Sequence, residues 1–126
     1  MAEIARVLKT DGMLLLTVPF VWDEHEQPFD YARYASFGLI RQAHKSGFNI
    51  IENHKTLADI RVLFQLLNAY LYKVLANCNK YLKLLLTLLL MAPANILGTL
   101  LYRLFPANPD LCLDNIILAK KAPSDV

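Results

Sequence analysis

The chain has 126 residues, room for one modest core and not for two ordinary domains. Thirteen basic and eleven acidic residues give a formal net charge of +2 and are spread along the chain, so no basic tract points to nucleic acid and no acidic run to a solvated tail. Hydrophobic residues make up 56% and charged ones 19%, apolar for a small soluble domain, and the excess lies between Leu57 and Phe105.

In chain order, Ile4, Val7 and Leu8 share one helical face, so residues 2–9 are expected to form a short helix, with Gly12 of "KTDG" taking the left-handed position after its last turn. Acid and base precede the Leu run, which is not the layout of a secretory signal. "MLLLTV", bounded by Gly12 and Pro19, is the continuous apolar run of a strand covered on both faces. Next comes "VPFVWDEHEQPFDYARY", a polar and aromatic stretch where a strand would ordinarily turn straight into a helix. Ser36 is placed to cap a helix with Leu39, Ile40 and Ala43 on one face, Arg41, Gln42 and Lys45 on the other, and Gly47 at its end. "FNIIENH" then reads as a strand and "LCLDNIILAKK" as another, which gives an α/β reading with strands near 13–18, 48–54 and 113–119. Cys78 and Cys112 lie far apart without CxxC spacing, which argues against a disulfide scaffold or a zinc site and for a reducing cytoplasm.

Before the last strand, residues 57–105 form a helical insert in what is otherwise a single domain spanning 1–126. Leu57 to Ala76 is apolar nearly all round, the mark of a helix that is buried or covered by a partner. From Leu84 to Tyr102 no residue is charged, with Lys83 and Arg103 as bookends, close to the length that defines a membrane-span candidate. Pro93 interrupts the run and lacks the N–H for the preceding turn, so two short helices are expected, about 80–92 and 94–105. Three readings stay open for them: buried or partner-covered helices, helices on a membrane surface through 80–105, and a span.

The order "EIARVLKTDGMLLLTVPF", "HEQPFDYARY", "FGLIRQAHKSGF" and "NIILAKK" resembles the C-terminal half of class I S-adenosylmethionine-dependent methyltransferases of the type 11 kind. There a helix ending in Arg-Val-Leu-Lys and a Pro-Gly-Gly turn leads into the fifth sheet strand; here the turn is Lys9-Thr10-Asp11-Gly12, which keeps only the final glycine. The resemblance covers most of the chain apart from the insert. It implies a truncated Rossmann-like half with strand order 5-7-6, the last strand antiparallel between the other two. It also implies that the chain begins after the glycine-rich loop and the acid that hold the methyl donor. Gly12, Gly38, Gly47 and Gly98 are isolated, so no GxGxxG-type cradle is expected, and the chain alone is expected to bind no S-adenosylmethionine.

In that family the segment after strand five lies over the carboxyl ends of the sheet, near the methyl acceptor, which makes Trp22, His25, Glu26, Tyr31, Arg33 and Tyr34 the candidate substrate-binding residues. His25 is the weak catalytic candidate, a base near neutral pH whose tautomer Glu26 or Asp30 can set; it can equally serve to tie its loop together. Arg33 can grip an anionic group or pair with Asp30 or Glu26, and Trp22, Phe29, Tyr31 and Tyr34 can line a pocket or pack the segment onto the sheet. Asp23, Glu24, His25 and Glu26 are adjacent on an extended chain and point to opposite sides, so no metal set is expected. His44 and His54 read as surface polar residues.

Two functional classes follow. One is a cytoplasmic methyltransferase-like half that lacks the donor motif, inactive alone or completed by a complementary donor-binding chain. The other is a non-catalytic module that uses its apolar helices for self-association or at a membrane. In both, a strand left without its usual neighbour predicts association, with a homodimer the expected form.

Overall fold

The computed structural model describes residues 1–24 and 26–123, which divide into two compact units: Met1–Thr56 with the chain from Leu113 onward, and Leu57–Cys112.

The first unit is a three-stranded antiparallel sheet with two helices, a mixed α and β arrangement. Helix α1 (Ala2–Val7) leads to β1 (Met13–Pro19), α2 (Ser36–Lys45) to β2 (Phe48–Lys55), and β3 (Asp114–Lys121) returns last. The sheet order is β1-β3-β2, and both outer strands run antiparallel to β3, in register Leu16 with Ile117 on one side and Ile50 with Ala119 on the other. Apolar alternation explains the packing. Asn115, Ile117 and Ala119 of β3 are buried at every second position, and Ile117 and Ala119 pack in one cluster with Leu39 and Ala43, four apart on α2, and with Phe48 of β2. Ile4, Ala5 and Leu8 pack onto the same cluster from the N-terminal segment. The three expected strands and the face of α2 are as the residue pattern predicts.

Several expectations are corrected. The left-handed residue before β1 is Asp11 (φ 61°), not Gly12. Glycine at 12 answers a different need, since a Cβ there would lie 2.8 Å from the Lys9 carbonyl oxygen. Ser36 is the first residue of α2 and makes no cap; Ala35 is the N-cap, without a side-chain bond. Strand β1 is covered on one face only. Leu14, Leu16 and Val18 pack on the core, while Leu15 is 70% exposed, because none of the described residues of this unit lies over that side. At β2 the ladder slips by one residue between Ile50 and Glu52, a bulge that leaves Ile51 unmatched.

The second unit begins and ends at neighbouring points. Thr56 Oγ1 donates to Asp114 Oδ2 at 2.8 Å and accepts from the Asp114 N–H at 3.0 Å, while the Leu113 N–H donates to the Thr56 carbonyl at 3.0 Å. Adjacent antiparallel strands β2 and β3 thus offer two chain ends side by side, where a long insertion costs little closure entropy.

Within that unit α3 (Arg61–Val74) is followed by a 3₁₀ turn, Leu75–Asn77, and helix begins there at Arg61, not at Leu57, whose φ is 46°. Asn79 then caps α4 (Lys80–Leu86) by accepting from the Tyr81 N–H. The two separate helices expected around Pro93 are one. A π turn, Thr87–Met91, joins α4 directly to α5 (Ala92–Leu101), and its wider winding places Pro93 in the first turn of α5, where the missing N–H costs least. Of the readings open for this helix, full burial within the chain is not what is seen: 6% of the residues in its most apolar 18-residue stretch are buried, the rest half-buried or exposed. The helices run antiparallel, since Phe64 meets Gly98 and Asn68 Nδ2 donates to Asn95 Oδ1 at 2.7 Å.

Candidate functional site

The segment from Phe20 to Ala35 carries the candidate site, and its two ends are fixed to the sheet. At the first, the N–H groups of Phe20 and Val21 both donate to the Leu113 carbonyl, at 2.7 and 3.2 Å. At the second, Asn115, 1% exposed in the middle of the sheet, donates through Nδ2 to the Tyr34 carbonyl at 2.9 Å. Between these anchors the chain folds on itself, with the Phe29 N–H donating to Glu26 and the Tyr31 N–H to Phe29.

Arg33 organises the interior of this segment. One guanidinium nitrogen, Nη2, pairs with the Asp30 carboxylate and also donates to the Asp23 carbonyl at 2.9 Å. Of the roles open to Arg33, pairing with Asp30 is therefore the one observed, and the pair is mostly shielded, with side chains 26% and 12% exposed. A charged pair held this way gives the segment a fixed shape, because moving either partner alone would strand a half-buried charge.

A cleft of about 420 Å³ opens at the carboxyl end of β1, lined by Thr17, Pro19, Glu26, Phe29, Asp30, Tyr31, Ala32 and Arg33. Its polar groups are two carboxylates, one guanidinium, a phenol and a hydroxyl, suited to hydrogen-bonding a small polar molecule. Phe29 and Tyr31, edge to face with centroids 6.3 Å apart, form an exposed aromatic rim. A second cleft of about 230 Å³, lined by Pro19, Trp22, Leu113 and Asp114, has Pro19 in common with the first.

Glu26, Tyr31 and Arg33 thus line one cleft and Trp22 the next. Tyr34 lines neither; its carbonyl is an anchor instead. His25, the candidate base, lies outside the described residues. Sequence reasoning missed Thr17 and Asn115. Thr17 is polar at the end of an apolar run, and Asn115 is an amide two and four residues before buried Ile117 and Ala119, a signal that a core-facing position needs a hydrogen bond. Among the described residues no three His, Cys, Asp or Glu side chains converge as metal ligands. The exposed His54 pairs with Glu52 at 2.9 Å.

In the helical unit, Asp59 accepts from the Arg61 side chain at 2.9 and 2.6 Å, and the Arg61 guanidinium stacks 4.3 Å over the Tyr102 ring. Those side-chain hydrogen bonds hold the Asp59 carboxyl below the usual carboxylate range. Beside them an apolar hollow of about 170 Å³ is lined by Ile60, Val62, Leu63, Phe105, Pro106 and Leu111 among others.

Compared with known protein families, curated proteins and solved structures, the chain matches none of them.

Proposed function

We propose that this chain is the acceptor-side, C-terminal half of a class I S-adenosylmethionine-dependent methyltransferase, with the methyl donor held by a complementary half in the same polypeptide or in another chain. The observation that carries the reading is the sheet. β3, last in the sequence, lies antiparallel between β1 and β2, so the two outer strands are parallel to each other, and the polar cleft sits at the carboxyl end of β1. Strand carboxyl ends are where open α/β sheets receive ligands, and order 5-7-6 corresponds to β1-β3-β2 in this reading.

The residues present do not fit the donor. Gly38 and Gly98 are inside helices, Gly12 closes the turn before β1, and Gly47 ends α2 with φ 79°. None opens a strand-to-helix turn whose N–H groups can surround a nucleotide, so no step through the donor is assigned to these residues. Their contribution is to bind and orient an acceptor. Glu26 and Asp30 accept hydrogen bonds from its hydroxyl or amino groups, Phe29 and Tyr31 give it an apolar rim, and His25 is the remaining candidate for the proton.

In this reading the outer edge of β1, which among the described residues pairs with β3 alone, receives the neighbouring strand of the donor half. The gene tests it. In-frame sequence before Met1, or a neighbouring gene, should encode a strand, a glycine-rich turn and a helix. In the protein joined to that half, amides on the free edge of residues 13–19 should exchange with deuterium far more slowly than in this chain alone. A donor half whose addition leaves β1 exchange unchanged would refute the arrangement.

A further inference from the structure

The helical unit has no place in the methyltransferase reading, and its surface has a definite chemistry. From Lys80 to Leu101 runs one unbroken helix of 22 residues; its most apolar 18-residue stretch has mean hydropathy 2.1, and only 6% of the residues in that stretch are buried. The consecutive residues Leu88, Leu89 and Leu90 are all exposed, and neighbours in sequence fan over about half the circumference of a helix. Leu84, Leu85, Ile96, Leu97 and Leu100 extend the bare surface along its length. A second helix docking from another protein covers one stripe. A helix apolar over this much of its girth needs an apolar surrounding.

Charge and aromatic rings mark where that surrounding ends. At one end Lys83 Nζ lies 4.2 Å over the Tyr72 ring and Lys80 Nζ 4.9 Å over Tyr81. At the other, Arg61 and Arg103 stack at 4.3 and 5.9 Å from the same Tyr102 ring. Between the two levels, Leu84–Tyr102 and, on α3, Val62–Tyr72 hold no charged residue. Lys83 to Arg103 rises about 30 Å along a helix, and the hydrocarbon core of a bilayer is about 30 Å thick. Tyrosine with lysine or arginine at both levels is the arrangement that faces lipid headgroups.

The interior of the hairpin suits the same medium. The helices meet through a glycine, with a Cβ at Gly98 falling 2.8 Å from Phe64 Cδ2, and through the hydrogen bond from Asn68 Nδ2 to Asn95 Oδ1, the Asn68 Oδ1 having no partner among the described residues. Close approach at small residues and side-chain hydrogen bonds between helices hold helix pairs together where lipid removes the hydrophobic driving force. At the base, the Asn108 N–H donates to the Ala58 carbonyl at 2.9 Å, so both chain ends leave on one side.

We propose that the helices between Arg61 and Arg103 insert into a lipid bilayer as an antiparallel hairpin, with Lys80 and Lys83 at the far headgroups and Arg61 and Arg103 at the near ones. α3 and its 3₁₀ turn together rise about 27 Å, enough to bring the Cys78–Asn79 tip to the far side. The inference is independent of the methyltransferase reading.

The test is synthesis of the full chain in the presence of sealed phosphatidylcholine vesicles, followed by flotation in high salt and a pH 11 carbonate wash. The zwitterionic lipid and the salt remove electrostatic adsorption, so only apolar insertion retains the protein. The expected result is flotation that survives the wash. In Cys112→Ser, which leaves Cys78 as the one thiol, an impermeant maleimide should react only after the vesicles are opened. Leu88→Lys places a charge mid-helix at a position that water already reaches in the free chain, and should lower the lipid-bound to free ratio about 60-fold or more. Val7→Lys, exposed on α1, should leave it unchanged. A soluble chain that stays at the bottom of the gradient overturns the proposal, whether a monomer or a dimer in which a second copy covers the helices. Release by carbonate, labelling of Cys78 in sealed vesicles, or equal flotation of Leu88→Lys also overturns it.

Discussion

Replacing Asn115 by leucine should loosen the candidate site before it unfolds the sheet. The side chain is 1% exposed, faces the same way as Ile117 and Ala119, and donates to the Tyr34 carbonyl at 2.9 Å, holding the C-terminal end of the cleft segment. Leucine keeps the branched shape but is the bulkier side chain and cannot donate, so the Tyr34 carbonyl loses its bond from residue 115 and overpacking adds to the cost. A buried group without its partner costs about 1–3 kcal/mol. With a urea m-value of about 1–3 kcal/mol/M, the unfolding midpoint should fall by roughly 1 M. Trp22, the one tryptophan, sits in the anchored segment and reports on it by fluorescence, while far-UV circular dichroism reports on the whole chain. In the wild type the Trp22 transition should accompany loss of the sheet; in Asn115→Leu it should come first, at lower urea. Unchanged midpoints, with the two signals still coincident in the variant, would refute the claim that this amide tethers the segment.

Gly98→Ala should lower the thermal midpoint of the helical signal. The new Cβ would meet Phe64 at 2.8 and 3.0 Å, an overpacking cost of about 1–3 kcal/mol against a propensity gain of roughly 1 kcal/mol. Gly47→Ala should cost at least about 0.5–1 kcal/mol in chemical denaturation, because the position has φ 79° with open space around it, so the loss is backbone strain alone. Asp59 has a depressed carboxyl, so its contribution is complete above its unfolded value of about 3.9 and is lost as pH falls through the lower folded value. Asp59→Asn should therefore remove a component of acid destabilisation that begins below about pH 4, measured by the pH dependence of the helical unfolding midpoint. Leu15→Lys, at a 70% exposed position on the bare side of β1, should change monomer stability by less than about 0.5 kcal/mol and should weaken any homodimer that packs on that side, read by light scattering.

Local pattern made the strands and the core face of α2 legible, because each depends on residues a few positions apart: an apolar run between Gly12 and Pro19, or Leu39 and Ala43 one turn apart. The bare side of β1 was not legible. "LLLTV" is written for cover on both sides, and whether cover is present depends on what lies beside the strand, which no local run records. Pro93 misled for a related reason. It rules out an ordinary interior helical turn, but a π turn one residue wider restores continuity, and nothing in "TLLLMAP" announces that choice. Of the site, the aromatic and charged character of 20–35 was visible, and so was the Asp30–Arg33 option, since the two are three residues apart. The Asn115–Tyr34 anchor joins residues 81 positions apart and the Thr56–Asp114 clasp residues 58 apart. Pairings that distant follow from the sheet order and cannot be read before it.

The central claim is that this chain supplies the acceptor side of a methyltransferase and that the donor is held elsewhere. Titration calorimetry with S-adenosylmethionine tests it most directly, on this chain alone and on the same chain joined to the donor half from the adjacent gene sequence. No binding heat is expected from the first and a micromolar dissociation constant from the second. Micromolar binding by the isolated chain, or none by the joined protein when circular dichroism shows it folded, would contradict the account.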